Sequence, residues 1–186
     1  YEVGIKGLYF DRALALNAAA FYMTLDHFQT SVQTGATPGD RDFVGLDGNT
    51  YRGLEADATW RVTQNLTFTS SVGLLETEVG PSTVSFELSP GGNCSGTLAG
   101  TTCTQNLISE FPYAPKRTIN VGVNYERELA TNLSVAATLN YAYQSTSQTS
   151  LNVFENTSLD QRSIFDGSIL FRMAQLQASD AIGHEY

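Results

Sequence analysis

The sequence predicts an all-β chain of antiparallel strands running up and down, and three observations carry that reading. Apolar and polar residues alternate with period two in segments of about ten residues. The connections between those segments alternate short and long, whereas globular domains usually keep their connections to a handful of residues. The composition is only 16% charged and 11% aromatic, with Gly, Ser, Thr, Asn and Gln filling much of the remainder. Such a mix is poor in helix formers and suits strands and turns.

Segment 1–10 sets Tyr1, Val3, Ile5 and Tyr9 against Glu2, Gly4 and Lys6, although Leu8 and Phe10 blur the polar face. Segment 14–28 gathers Leu14, Leu16, Ala18, Ala20 and Tyr22, with Phe21 and Leu25 interrupting the other side. In 51–62 the apolar set Leu54, Ala56, Ala58, Trp60 and Val62 opposes Gly53, Glu55, Asp57 and Thr59. Segment 66–75 alternates Leu66, Phe68, Val72 and Leu74 with Thr67, Thr69, Ser71 and Gly73. The cleanest patterns are 118–125, with Ile119, Val121, Val123 and Tyr125 on one face, and 133–144, with Leu133, Val135, Ala137, Leu139, Tyr141 and Tyr143. Segment 161–173 aligns Phe165, Ile169, Phe171 and Met173 opposite Asp166, Ser168 and Arg172. These make about seven strands, and an eighth would begin at Tyr186. The short connections are 11–13, 63–65 and 128–132, all with turn-forming residues; the long ones are 30–49, 77–115 and 145–160. Outer-membrane barrels have this plan, with tight periplasmic turns and long extracellular loops.

A closed barrel satisfies every backbone group inside a bilayer, with its apolar face to lipid and its polar face to the lumen. A soluble sandwich uses the same alternation in the opposite sense, so the placement of aromatics matters. Trp60 and Tyr125 fall near short-turn ends, and Tyr22, Tyr141 and Tyr143 near long-loop ends, as two membrane-interface belts would. The lumen-facing set is then Glu2, Lys6, Asn17, Glu55, Asp57, Asn120, Asn124, Asn140 and Asp166. On the lipid side a Lys or Arg at mid-bilayer would cost roughly 2–4 kcal/mol. These polar residues either touch a passing substrate or hydrogen-bond a domain that fills the lumen.

The net charge of −9 argues against a nucleic-acid partner. Most acidic residues, among them Asp40, Asp42, Asp47, Glu76 and Glu87, fall in or near the loops and read as a solvated surface. There is no apolar run long enough for a transmembrane helix, and no signal peptide is visible. The chain starts at Tyr1 inside a strand-like pattern, which reads as a fragment. Cys94 and Cys103 sit in a Gly/Ser/Thr-rich segment, where a small disulfide loop fits an oxidising compartment. Two free thiols are the alternative; a metal site would need ligands that two sulfurs without a nearby His do not supply. His27 and His184 are far apart, and no phosphate loop, nucleophile elbow or Cys–His pair stands out. No catalytic residue, metal or cofactor is expected, and the chain reads as something other than an enzyme.

Residues 1–7, Tyr-Glu-Val-Gly-Ile-Lys-Gly, turning into 14–22, Leu-Ala-Leu-Asn-Ala-Ala-Ala-Phe-Tyr, resemble the recurrent barrel hairpin of TonB-dependent receptors. Arg52-Gly53-Leu54-Glu55 and Tyr113-Ala114-Pro115-Lys116 are similar to further strand openings of that family, in the same order. The tight turn Asp11-Arg12-Ala13 departs from the family by lacking a Gly. The resemblance implies about a third of a 22-stranded barrel in the bacterial outer membrane, with the plug domain and last strands outside residues 1–186. It implies active transport of a scarce nutrient, such as a ferric siderophore, with outer-membrane lipid, the TonB complex (through the plug) and a small-molecule cargo as partners. Candidate cargo contacts in the long loops are Arg41, Asp42, Phe43, Phe86 and Phe111. The alternatives are a passive porin-like or adhesin-like barrel, and a soluble extracellular β-sandwich binding module with one disulfide. The strands at 1–10 and 161–173 would leave open edges unless other chain covers them.

Overall fold

The computed structural model describes residues 1–35, 39–81, 83–94, 96–152 and 157–173. The expected eighth strand at Tyr186 and the histidine at 184 lie outside them. In chain order the strands are β1 (Glu2–Tyr9), β2 (Leu14–Leu25), β3 (Phe28–Gln33), β4 (Arg41–Leu46), β5 (Asn49–Arg61), β6 (Leu66–Glu78), β7 (Thr83–Glu87), β8 (Thr97–Ala99), β9 (Thr102–Asn106), β10 (Arg117–Ala130), β11 (Leu133–Gln144), β12 (Ser147–Gln148), β13 (Ser158–Leu159) and β14 (Arg162–Met173). The long ones form one seven-stranded sheet in the order β1-β2-β5-β6-β10-β11-β14, each antiparallel to its neighbour. The up-and-down path and the seven alternating segments expected from the sequence are those of this sheet.

Register follows from the alternation. Leu16 pairs with Ala58, Ala56 with Val72, Val121 with Tyr141 and Ala137 with Ile169, so apolar residues stack across every strand on one face. A one-residue slip would exchange the faces of a whole strand, which is why this pattern specifies pairing so strongly. Phe21, which interrupts the polar face of β2, is accommodated by its partner: it pairs with Gly53, and a Cβ there would come within 2.6 Å of the Phe21 ring. The missing side chain is the seat of the aromatic one.

The β1–β2 turn is tight although it lacks glycine. Phe10, Asp11 and Arg12 all adopt positive φ, at 52°, 53° and 68°, and the Ala13 amide donates to the Phe10 carbonyl at 2.9 Å. Each such residue carries the clash of Cβ with the following carbonyl that glycine avoids. At the β10–β11 end the strands extend further than the alternation suggested, to Ala130, with a bulge between Glu128 and Ala130.

The three long connections are not structureless. The first holds the β3–β4 hairpin, the second the three-stranded sheet β7-β9-β8, and the third the small ladder β12-β13. They converge on one hydrophobic core of Val32, Leu46, Val79, Val84, Phe86, Cys103, Phe111 and Leu151. Bridges from Leu107 to Asn152 and from Pro112 to Gln148 tie the second connection to the third. Among the described residues, no strand of the seven-stranded sheet contributes a buried hydrophobic side chain. Leu54, Leu139, Phe165, Ile169 and Phe171 are all exposed, Ile169 by 70%. Burial is thus inverted: the loops are packed like a small domain, while the large sheet shows its apolar face.

Candidate functional site

The sheet carries two chemically distinct faces. On the polar face the register gathers Glu2, Lys6, Asn17, Glu55, Asp57, Asn120, Asn124, Asn140 and Asp166, the nine residues that alternation had set together. Among the described residues, hydrogen bonds between neighbouring strands connect this face, and the Arg172–Glu126 ion pair reaches across it from β14 to β10 at 2.9 Å. Asn17 donates to Asp57 at 2.8 Å, Asn120 to Ser71 at 3.1 Å, the Thr138 hydroxyl to Asn124 at 3.0 Å, and Asn140 to Asp166 at 2.9 Å. Glu2, Lys6, Asn17, Glu55 and Asp57 line a shallow trough on the β1–β6 side. These amides and carboxylates can hydrogen-bond water, a ligand or another protein segment. Among the described residues, no group of three or more His, Cys, Asp and Glu is placed to hold a metal ion.

On the apolar face the aromatics fall at two levels. Tyr22 on β2 and Tyr143 on β11 stand toward the long connections, with Tyr141 below, its ring 4.5 Å from that of Phe165. Trp60, paired with Leu14 and Phe68, and Tyr125, paired with Leu66 and Ala137, stand toward the short turns. Along β5, Arg52 to Trp60 spans about 26 Å at ~3.3 Å per residue. Tilted by about 40°, that is roughly 20 Å of height, close to the ~25 Å apolar band of membrane barrels.

The loop layer is locked by residues that periodicity does not reveal. Asn49 is fully buried and donates to the carbonyls of Leu25 and Leu46 at 2.8 and 2.7 Å, while its carbonyl oxygen accepts from Gly80 at 3.3 Å. The backbone at Gly80 passes so close to the preceding turn that a Cβ would lie 2.2 Å from the Asp47 carbonyl oxygen. Cys94 and Cys103 form a disulfide, with Cys103 completely buried in the loop core. The carboxyl of Asp47 is held below its ordinary 3.8 by the His27 amide, which donates at 2.7 Å, with the imidazole a further partner at 2.8 Å. Glu87 is likewise held below 4.5, because the hydroxyls of Thr101 and Thr102 donate to its two carboxyl oxygens.

The expected cargo contacts separate into two groups. Arg41, Asp42 and Phe43 lie on β4 at the surface, and Phe43 is 71% exposed. Arg41 donates to the Ser31 hydroxyl at 3.1 Å, and Asp42 accepts from the Phe43 amide at 2.8 Å. Phe86 and Phe111 are instead buried. Phe111 packs edge-on against Phe28 at 4.9 Å and tilted on Tyr51 at 4.7 Å, so its ring is committed to the loop core rather than turned to a ligand. Position in a long loop suggested contact with cargo; the hydrophobic collapse of three loops onto each other takes up Phe86 and Phe111 and leaves Phe43 outside. Tyr113, which sequence reasoning did not select, is 68% exposed in the left-handed conformation beside the same core. Its only signal was its place before Ala114-Pro115.

Residues 1–178 match a family model described as TonB dependent receptor-like, beta-barrel. Among solved structures, the siderophore receptor PiuA from Acinetobacter baumannii resembles the chain with a TM-score of 0.58 at 19% identity. That alignment covers 90% of this chain and 21% of the receptor, so the chain spans about a fifth of its length. At this identity the likeness speaks for the fold alone. No curated protein sequence matches the chain.

Proposed function

The chain belongs to the TonB-dependent receptor β-barrel family, and on that premise we propose that it is part of the wall and outer vestibule of an active transporter in the bacterial outer membrane. The barrel's apolar face meets lipid, the polar face lines the lumen, and the joined long connections form a vestibule on the extracellular side. The burial inversion carries this reading. A soluble sandwich hides one face of its sheet from water, whereas here both faces are open and, among the described residues, only the loops possess a core. An exposed apolar sheet face flanked by aromatics is stable where hydrocarbon takes the place of water.

The cargo is a small nutrient complex of the ferric siderophore class, handled by binding and release without covalent chemistry. Phe43 and Arg41 on the exposed hairpin, together with Tyr113, are the proposed first contacts, since they combine aromatic area with hydrogen-bond donors at the surface. Passage past Glu2, Lys6, Asn17, Asp57 and Asn140 is proposed to depend on a plug that the TonB complex displaces.

The test is uptake of iron-55 as a set of ferric siderophores by cells that express the full-length receptor in iron-poor medium. Uptake that needs the receptor, and that stops when a protonophore collapses the proton gradient, supports the proposal. Uptake that persists without the gradient would favour the passive porin-like reading.

A further inference from the structure

The structure assigns to the outer rim of the apolar face a binding site for the phosphate headgroup of an outer-leaflet lipid, an inference that rests on the proposed placement of this face against the bilayer. Two rows of side chains define it. In the row nearer the loops, Tyr22 pairs with Arg52 and Arg52 with Glu76. One step toward mid-sheet, Leu54 pairs with Leu74, and Leu74 with Arg117. By register Arg117 therefore stands on the apolar face, level with two exposed leucines.

The two arginines are prepared differently. Arg52 is held by a bidentate pair to Glu76, Nε to Oε2 at 3.0 Å and Nη2 to Oε1 at 2.8 Å, which fixes its fork and leaves the remaining N–H groups pointing elsewhere. Arg117 is exposed and forms no ion pair among the described residues. Lys116 lies alongside, its carbonyl accepting from Leu75 at 3.0 Å and its ammonium on Glu110 at 2.7 Å.

A guanidinium on the lipid side is tolerated only near the headgroups, where it costs about 0–1 kcal/mol. There it needs an anion, and a phosphate accepts charge-assisted hydrogen bonds from planar arginine forks. The occupant is a lipid rather than a free ion because Leu54 and Leu74, beside Arg117, lead into Val72 and Ile119 one step further toward mid-sheet as an apolar track for an acyl chain. Tyr22, paired with Arg52, is suited to the same interfacial depth.

The experiment uses the full-length receptor in a non-ionic detergent, offered phosphatidic acid or phosphatidylcholine with the same acyl chains. Retained lipid is counted by native mass spectrometry. Phosphatidic acid should be retained about fivefold or more over phosphatidylcholine, and R117Q should reduce that retention about fivefold, the usual worth of one basic residue at a charged membrane surface. R52Q/R117Q should abolish the preference, while R172Q, which breaks the Arg172–Glu126 pair on the other face, should leave it unchanged. Equal retention of the two lipids, an unaltered R52Q/R117Q, or full displacement by excess inorganic phosphate would each overturn the inference. A spin label at Leu139 in a bilayer separates this failure from that of the transporter reading. If the label is lipid-exposed but the preference is absent, only the headgroup site falls; if the label is aqueous, both fall.

Discussion

At Asn49 a single amide ties together three crossings of the chain, the end of β2, the β4–β5 corner and the residues after β6. Asn49→Leu keeps the volume but takes the hydrogen-bond partner from two carbonyls and an amide around a fully buried side chain. The loop layer should lose about 2–4 kcal/mol, as buried polar groups stripped of hydrogen bonds do, which hydrogen exchange over 25–49 and 79–111 would register. The opposite change is expected at Arg12, whose φ of 68° closes a run of three left-handed residues. Arg12→Gly should raise stability by about 1 kcal/mol by removing a Cβ clash, seen as a higher melting temperature of the full-length receptor. The absence of a glycine from this turn was legible in the sequence; that the chain adopts the strained backbone anyway was not. Nor was Asn49, because its partners become neighbours only when the connections converge. Charge adds a pH signature. Asp47 and Glu87 titrate below their ordinary 3.8 and 4.5, so the stability they contribute is complete above those values. It is lost as pH falls through the lowered values. Loop protection against exchange should therefore be flat from neutral pH down to about pH 5 and decline only in stronger acid.

At the scale of elements, the seven long strands were readable because each repeats its alternation enough times to fix a face and a register. Inside the long connections, Thr97–Ala99, Ser147–Gln148 and Ser158–Leu159 hold too few residues for a period to show. What holds them is tertiary: a shared hydrophobic core and the Cys94–Cys103 bridge. That the two cysteines could pair was legible from their spacing and company; that Cys103 lies at the centre of the loop core was not. The bridge spans a separation of 9 residues. Closing so small a loop stabilises by about 2–3 kcal/mol on the chain-entropy account. Cys94→Ala/Cys103→Ala in the full-length receptor should release protection across β7–β9 by that amount while β5, β6, β10 and β11 exchange as before. An equal loss in both layers would mean that sheet and loops fold as one unit.

For the whole molecule, the two faces of the sheet ask for two environments. Polar pairs such as Asn17–Asp57 and Asn140–Asp166 suit a wet or protein-filled lumen, and the open face of Leu54, Val121, Leu139 and Ile169 suits hydrocarbon. The same alternation in a soluble sandwich would have produced a buried apolar face, and the sequence could not choose between the two senses by period alone. The placement of Trp60, Tyr125, Tyr22 and Tyr143 pointed to the membrane sense, and the core confined to the loops agrees with it. Cargo was less legible, since ligand contacts depend on which loop side chains escape the core: Phe43 does, and Phe86 and Phe111 do not. The orientation of the two faces is tested by placing spin labels, one at a time, at Leu139, Asn140, Ile169 and Asp166 of the full-length receptor in bilayers. Relaxation is then compared with oxygen, which concentrates in lipid, and with a water-soluble nickel chelate. Oxygen access is expected at Leu139 and Ile169, with none of that lipid signature at Asn140 and Asp166. Nickel access at Leu139 and Ile169, with the polar positions shielded in lipid or all four equally wet, would contradict this orientation.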